Sequence, residues 1–373
     1  MMSNQKCLAT WLLLVFLFLS GCGITTDTPP DTVLSSEFQL PNIGLNDILA
    51  LVGNHLICSN ILENGDIKYQ TINLVTGKSI ECGTIQKHLL NNNSNILKDN
   101  TVYFRVTTAS DDGTAQIDNF CKLDLKRNQI EVLSTKETHQ SLGYLALLGD
   151  TFLSTTGFIG ADGKSKTTIE QIDSNGKTQR EVKAFWANRS SHTGEAMTNI
   201  TAYRDAVYAL VQRFESGEIA TYIHSYSLSG EEMSSLNMQS YSTDFFYTPI
   251  SDFTIVGNYI YMENFSGESI FGKIADGEFH EISGIRESLI LAQTNENTPE
   301  NLLFYNRESN AFFLFDPQSD TMTEKKIPLI PDNQNITFLL KSGELLVACT
   351  MDSVEGIESS TYTIQMSDLI PAQ

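Results

Sequence analysis

The chain has 373 residues, 41% hydrophobic and 18% charged, with 24 Gly and 9 Pro, a composition that excludes long disorder and collagen-like repetition. Its 45 acidic residues against 24 basic ones give a formal net charge of -21. That field repels phosphate backbones and argues against a nucleic-acid partner.

The first elements in chain order are an address. Lys6 is a positive start, Leu8 to Leu19 is an apolar run too short for a permanent bilayer span, and Leu19-Ser20-Gly21-Cys22 follows at once. Those four residues resemble the processing site of bacterial lipoproteins, the lipobox. The resemblance implies a signal peptide over residues 1–21, lipidation of Cys22, and a body held at the cell membrane on its extracytoplasmic side. Residues 22–32, small, polar and Pro-bearing, read as a flexible tether, and residues 33–373 as one domain.

Along that domain a turn residue followed by an apolar, strand-like run recurs about every 40 to 55 residues. Seven copies align: Asn54 to Cys58, Asn100 to Phe104, Asp150 to Ser154, Asp205 to Ala209, Asn258 to Met262, Asn301 to Tyr305 and Gly343 to Val347. Asn, Asp and Gly tolerate the positive φ of a tight hairpin, and the runs behind them are β-branched, aromatic or aliphatic. An apolar stretch such as Ile48 to Val52 or Phe253 to Val256 precedes most copies. A third strand follows and ends in a polar turn, as at Asn73 to Gly77, Asp124 to Asn128 and Asp316 to Ser319. A short fourth strand completes the unit, for example Ser79 to Ile85 or Thr178 to Ala184.

Four antiparallel strands at this period predict an all-β fold, a seven-bladed β-propeller. The last repeat lacks a fourth strand after Thr361 to Met366, while Val33 to Leu40 lies unused ahead of the first. The N-terminal strand is therefore expected to complete the last blade, because an open ring leaves unpaired edges. A pair of β-sandwiches is the competing architecture. The body resembles lipid-anchored bacterial β-propellers in general, without the emblem of a particular propeller family.

Chemistry-bearing motifs fail in detail. Gly160 to Ser165 resembles a phosphate loop, but Phe158 stands where its first Gly belongs. Gly267-Glu268-Ser269 opens like a nucleophile elbow and lacks the closing Gly. Ser110 to Thr114 resembles the Asp-box of sialidase propellers, with its Gly one residue early. The six His residues form no local ligand pair, and acidic pairs such as Asp111 with Asp112 or Glu263 with Glu268 read as exposed turns. No cofactor or metal is expected. Cys58, Cys82, Cys121 and Cys349 are expected as free buried thiols, with Cys58 and Cys82 the pair closest to a disulfide.

The repeat register supplies a face. Connections between strands two and three, and from each blade to the next, share one side of the ring and include the longest segments: 108–116, 157–168, 185–198, 239–249 and 351–360. Two of these carry the candidate ligand-binding residues, Trp186, Arg189, His192 and Glu195 in one, and Tyr241, Phe245, Phe246 and Tyr247 in the other. Aromatic platforms beside charged groups suit a protein partner or a sugar ring, and the alternative for them is packing between blades. The expected function is a non-catalytic binding or scaffolding module for a protein or other ligand. The alternative is a carbohydrate-binding receptor or carbohydrate-active enzyme on the same face.

Overall fold

A computed structural model describes residues 35–38, 48–86, 88–110, 115–138, 143–160, 163–188, 191, 193–215, 218–238, 245–246, 248, 250–282, 289–294, 301–331, 334–352 and 359–371. Within these the fold is all-β. The first sheet runs β2 (Ile48–Val52), β3 (His55–Ile61), β4 (Ile67–Asn73) and β5 (Ser79–Ile85), and the second β6 (His88–Lys98), β7 (Thr101–Ala109), β8 (Gln116–Asp124) and β9 (Gln129–Thr138). Next comes one eight-stranded sheet. It consists of β10 (Leu145–Leu148), β11 (Thr151–Ile159), β12 (Lys164–Ile172), β13 (Thr178–Asn188), β14 (Thr193–Tyr203), β15 (Ala206–Glu215), β16 (Glu218–Tyr226) and β17 (Glu232–Asn237).

A four-stranded sheet of β18 (Ile250–Val256), β19 (Tyr259–Asn264), β20 (Ser269–Ala275) and β21 (Glu278–Glu281) follows. The fifth holds β22 (Leu289–Leu291), β24 (Leu302–Asn306), β25 (Ala311–Asp316) and β26 (Thr321–Lys326). The last holds β27 (Gln334–Ser342), β28 (Leu345–Asp352) and β29 (Ser359–Gln365), with the short β23 (Gln293–Thr294) parallel to β27 on its inner edge. Strands thus pair into six sheets, where the repeat count calls for seven. The difference lies at β13 and β14, which hydrogen-bond through Ala187 with Gly194 and Asn188 with Thr193 and so merge two meanders of four.

The sheets are arranged in a ring, as their packing shows. Five buried apolar clusters join neighbouring sheets: Tyr69 and Cys82 with Phe104 and Cys121, Phe120 with Phe152, Leu210 with Phe253, Phe271 with Phe304, and Tyr305 with Leu346, and a sixth, with Phe185 and Tyr226, joins the two halves of the eight-stranded sheet. The circle returns to its start where the Gly53 N–H donates to Ser342 Oγ at 3.0 Å. Both termini add strands to this ring. β1 (Ser36–Phe38) pairs antiparallel with β29, Ser36 opposite Thr363, and takes the fourth place in the last sheet. A strand the sequence did not disclose, β30 (Ile370–Pro371), pairs with β26 on the outer edge of the preceding sheet.

Three local rules build the repeats. In most hairpins between first and second strands the left-handed residue precedes the Asn or Asp picked out in the sequence: Gly53, Gly149, Arg204 and Gly257 have φ of 53°, 58°, 56° and 65°. At the third-to-fourth turns, Asn73, Asp124, Asp173 and Asp316 each turn a side-chain oxygen onto the backbone N–H two residues on, at 2.8–3.0 Å, the Asx geometry that favours these residues. First strands carry a bulge at Thr198, Ser251 and Thr337, where each hydroxyl donates to a second-strand carbonyl twelve residues later, at 3.3, 3.0 and 3.1 Å. Bulges bend a strand and strengthen its twist, and here they fall within the strands that face the ring axis. The four described cysteines are free and buried, and burial pushes Cys121 up to about 12 and Cys349 up to about 11, so these thiols are inert at neutral pH.

Candidate functional site

The merged sheet has longer strands than the sheet that follows it. Its strands β13 and β14 are 11 residues each, against 6 or 7 for β18 to β20. Much of segments 157–168 and 185–198, expected as loops, is therefore strand, and these hairpins form a raised crest. The merging depends on Gly194: its φ is +96°, and a Cβ there would stand 2.2 Å from the Trp186 carbonyl oxygen, so only glycine lets β14 approach β13.

Phe158, Lys166 and Trp186 form one cross-strand row along the crest. Phe158 is 54% and Trp186 58% exposed. Lys166 sits over the indole, Nζ 5.2 Å from the ring centroid, and pairs with Glu181 at 2.6 Å. Cation–π contacts at such exposed sites are worth about 0.5–1 kcal/mol, enough to bias the ring's pose without hiding it. Ile61, Ile219 and Phe265 are also exposed and lie at the β3–β4, β15–β16 and β19–β20 connections. In antiparallel meanders these connections and β13–β14 emerge on one side, so five large apolar side chains share one rim.

Behind the crest runs a stacked column. Glu195 pairs with Arg213 at 2.6 Å, and the guanidinium lies 4.6 Å from the Tyr222 ring centroid. Tyr222, His224 and Tyr226 alternate along β16 and therefore share a face, with centroids 5.6 and 6.0 Å apart. Lys183 of β13 closes the column 4.9 Å from Tyr226. Burial, with Glu232 and Glu195 nearby, pushes the Tyr226 phenol far up, so Tyr226 keeps its proton beside Lys183.

Of the sequence candidates, Trp186 and Glu195 fall on this crest, on adjacent strands. Phe245 and Phe246 do not offer a platform: both are buried, edge to face with centroids 5.1 Å apart, in the cluster joining β14–β17 to β18–β21. They fill inter-sheet packing. Arg189, His192, Tyr241, Tyr247 and Cys22 lie outside the described residues. The sequence reading passed over the column, although Tyr222-Ile-His224-Ser-Tyr226 carries the period of two that signals it.

A second feature lies on the axis. The first strands enclose a cavity of about 490 Å³. Leu49 and Ala50 of β2, Asn95 of β6, Asn199 of β14 and Asp252 of β18 line it, with Tyr144 beside β10. Asp252 is half-buried and stands opposite Glu263 in the β18–β19 register. Desolvation and the Glu263 charge push it up to about 6. Glu263 is itself raised by burial, although Arg307 at 3.3 Å and the Tyr261 hydroxyl at 3.0 Å hold its carboxylate. Among the described residues no group of three or more His, Cys, Asp and Glu could hold a metal ion.

The raised Asp252 makes stability depend on pH. A folded pKa near 6, above the unfolded value, means that between about pH 4 and 6 the folded chain holds a proton the unfolded chain has released, so stability falls as pH rises through that window. Asp252→Asn removes the ionisation. It is expected to stabilise the fold at pH 7.5 by up to about 2 kcal/mol and to leave it unchanged at pH 4, as urea titrations at the two pH values will report.

No protein-family model matches the chain, and no curated protein matches it. Among solved structures it is similar to BamB from Moraxella catarrhalis, with 13% identity over 83% of this chain and 79% of that one and a TM-score of 0.41. It is also similar to a candidate 6-phosphogluconolactonase from Bacteroides fragilis, with 15% identity over 88% and 94% and a TM-score of 0.43. A third similar structure is puromycin hydrolase, with 11% identity over 85% of this chain and 50% of that one and a TM-score of 0.46.

Proposed function

We propose that this protein is a lipid-anchored, extracytoplasmic seven-bladed β-propeller that acts as a non-catalytic binding module, with the crest around Trp186 as its partner surface. In this reading residues 1–21 are the signal peptide, Cys22 carries the lipid, 22–32 form the tether and 33–373 the propeller. The merged eight-stranded sheet counts as two blades of four strands. The observation that carries the binding role is the rim itself: Ile61, Phe158, Trp186, Ile219 and Phe265 are exposed by 39–69% on one side of the ring and include all three exposed Phe, Tyr or Trp side chains among the described residues, whereas Ile80, Val132, Met233 and Ile370 are exposed singly on strands at the outer edges of their sheets. Exposed aromatic anchors of this kind dominate the energetics of protein interfaces.

A photo-crosslinking residue placed at Phe158 in the native envelope will capture the partner, and Trp186→Ala will reduce capture by about thirty-fold or more, the loss typical of an aromatic anchor worth 2 kcal/mol. The variant is expected to melt like the parent, since its ring is mostly exposed. Unchanged capture would overturn the assignment of the surface. Cys22→Ala in the same cells is expected to abolish incorporation of a labelled fatty acid. The second reading, a glycan receptor or carbohydrate-active enzyme, draws on the same exposed indole, a shape that stacks on sugar rings. Loss of oligosaccharide binding in Trp186→Ala without loss of protein capture would favour it.

A further inference from the structure

Asp252 differs from Asp118 and Glu263, two other acids withdrawn from water in the ring. Buried Asp118 has Arg105 at 2.9 Å and half-buried Glu263 has Arg307 at 3.3 Å. Asp252 has the Thr254 hydroxyl at 3.3 Å, no basic side chain among the described residues acts on it, and the charge that does act on it is the like charge of Glu263. A carboxylate taken out of water beside another carboxylate is costly unless a cation joins it, and unpaired acids of this kind concentrate at binding sites.

The space for that cation is beside it. Asp252 lines the axial cavity, and Tyr144, whose phenol is raised by burial and further by the Asp252 charge, lines the same cavity from the strand start on the other side of β14. At about 490 Å³ the cavity falls within the range of small-molecule sites, roughly 300–1,000 Å³. Its walls divide along the axis: Asn199, Ser251 and Tyr144 surround the Asp252 level, while Leu49, Ala50, Ala146 and Leu291 supply apolar surface. The groups that face Asp252 are Glu263 and Tyr261 from β19 and Tyr144 beside β10, with Arg307 engaged by Glu263. Arg204 also lines the cavity, but it is exposed at the far end of β14, roughly 15 Å along the strand from the Asn199 level.

We infer that the axial cavity is a binding site for a small organic cation, an ammonium or guanidinium group on a compact apolar body, received by Asp252. The amine sits against the carboxylate and the Tyr144 ring, and the apolar body lies along the Leu49 and Ala146 wall. The inference is independent of the crest and of its partner.

Isothermal titration calorimetry on the full chain, with pentylamine and agmatine as probes and pentanol and pentanoate as controls, tests it. The two cations are expected to bind at pH 7.5 while the alcohol and the acid do not, and their affinity should fall about ten-fold by pH 5 as Asp252 takes up its proton. Asp252→Asn is expected to abolish binding while remaining folded, since it removes a destabilising charge; Glu278→Gln, at an exposed acid that starts β21, is expected to bind like the parent. Absence of cation binding would overturn the site. So would equal binding of pentanol, or cation binding that survives Asp252→Asn.

Discussion

Arg105→Met is expected to cost the fold about 3–5 kcal/mol, the penalty for leaving one partner of a buried ion pair behind. Arg105 on β7 meets Asp118 on β8 at 2.9 Å, with side chains only 7% and 4% exposed. It also donates to the Thr155 carbonyl of β11 at 3.1 Å, so one guanidinium both neutralises an acid and fastens the second sheet to the third. Its Nε finds no acceptor, which makes the pair a costly arrangement even when intact. The double variant Arg105→Met with Asp118→Leu should therefore recover most of the loss, because an apolar pair of similar volume avoids both desolvation penalties. Urea midpoints of the two single variants and the double variant decide the matter: a double variant as unstable as Arg105→Met would mean that the inter-sheet bond to Thr155, and not charge burial, carries the effect.

Phe271→Ala is expected to lose a comparable 3–5 kcal/mol by opening a cavity between two sheets. The ring is 1% exposed and lies 4.7 Å from Phe304, 5.0 Å from Phe315 and 5.9 Å from Tyr259, centroid to centroid. These neighbours cannot collapse freely onto a methyl group, since Tyr259 is pinned by a hydrogen bond to the Pro317 carbonyl at 3.2 Å, and Tyr261, which packs 5.9 Å from Phe304, by one to the Leu289 carbonyl at 2.8 Å. Phe271→Leu keeps more of the volume and should lose clearly less. Because Arg105 and Phe271 sit between different pairs of sheets, their losses should add. Equal stability of the Ala and Leu variants would show that the site relaxes.

The sequence made the meanders legible because each is local. Asn73, Asp124, Asp173 and Asp316 mark the same turn by the same side-chain geometry, and β5 spans the Ser79 to Ile85 strand expected of it. The pairing of β1 with β29 was legible for a different reason, a strand lacking at one end and left over at the other. What escaped depends on contacts between meanders. Gly194 looks like any loop glycine until Trp186 is placed behind it, and the merging of two sheets follows from that approach. Phe245 and Phe246 read as a surface platform because composition does not tell an aromatic loop that plugs a gap from one that faces water. Asp252 is the one charged residue of β18, opposite Glu263, but its relation to Tyr144, 108 positions earlier in the chain, exists only once the ring brings their sheets together.

The place of β1 also governs when the molecule is finished. Ser36 and Thr363, whose hydroxyls lie 3.0 Å apart, are separated by 327 positions, whereas the strands inside each sheet are mostly neighbours in sequence and can pair as soon as they emerge. Loop closure over such a distance is slow, and the first strand made is the last to find its partner. Throughout that interval the outer edge of β29 is an open template. Any second molecule whose own β1 is still free can fill it, so the step that completes the monomer is also the step at which two chains can exchange strands and remain linked.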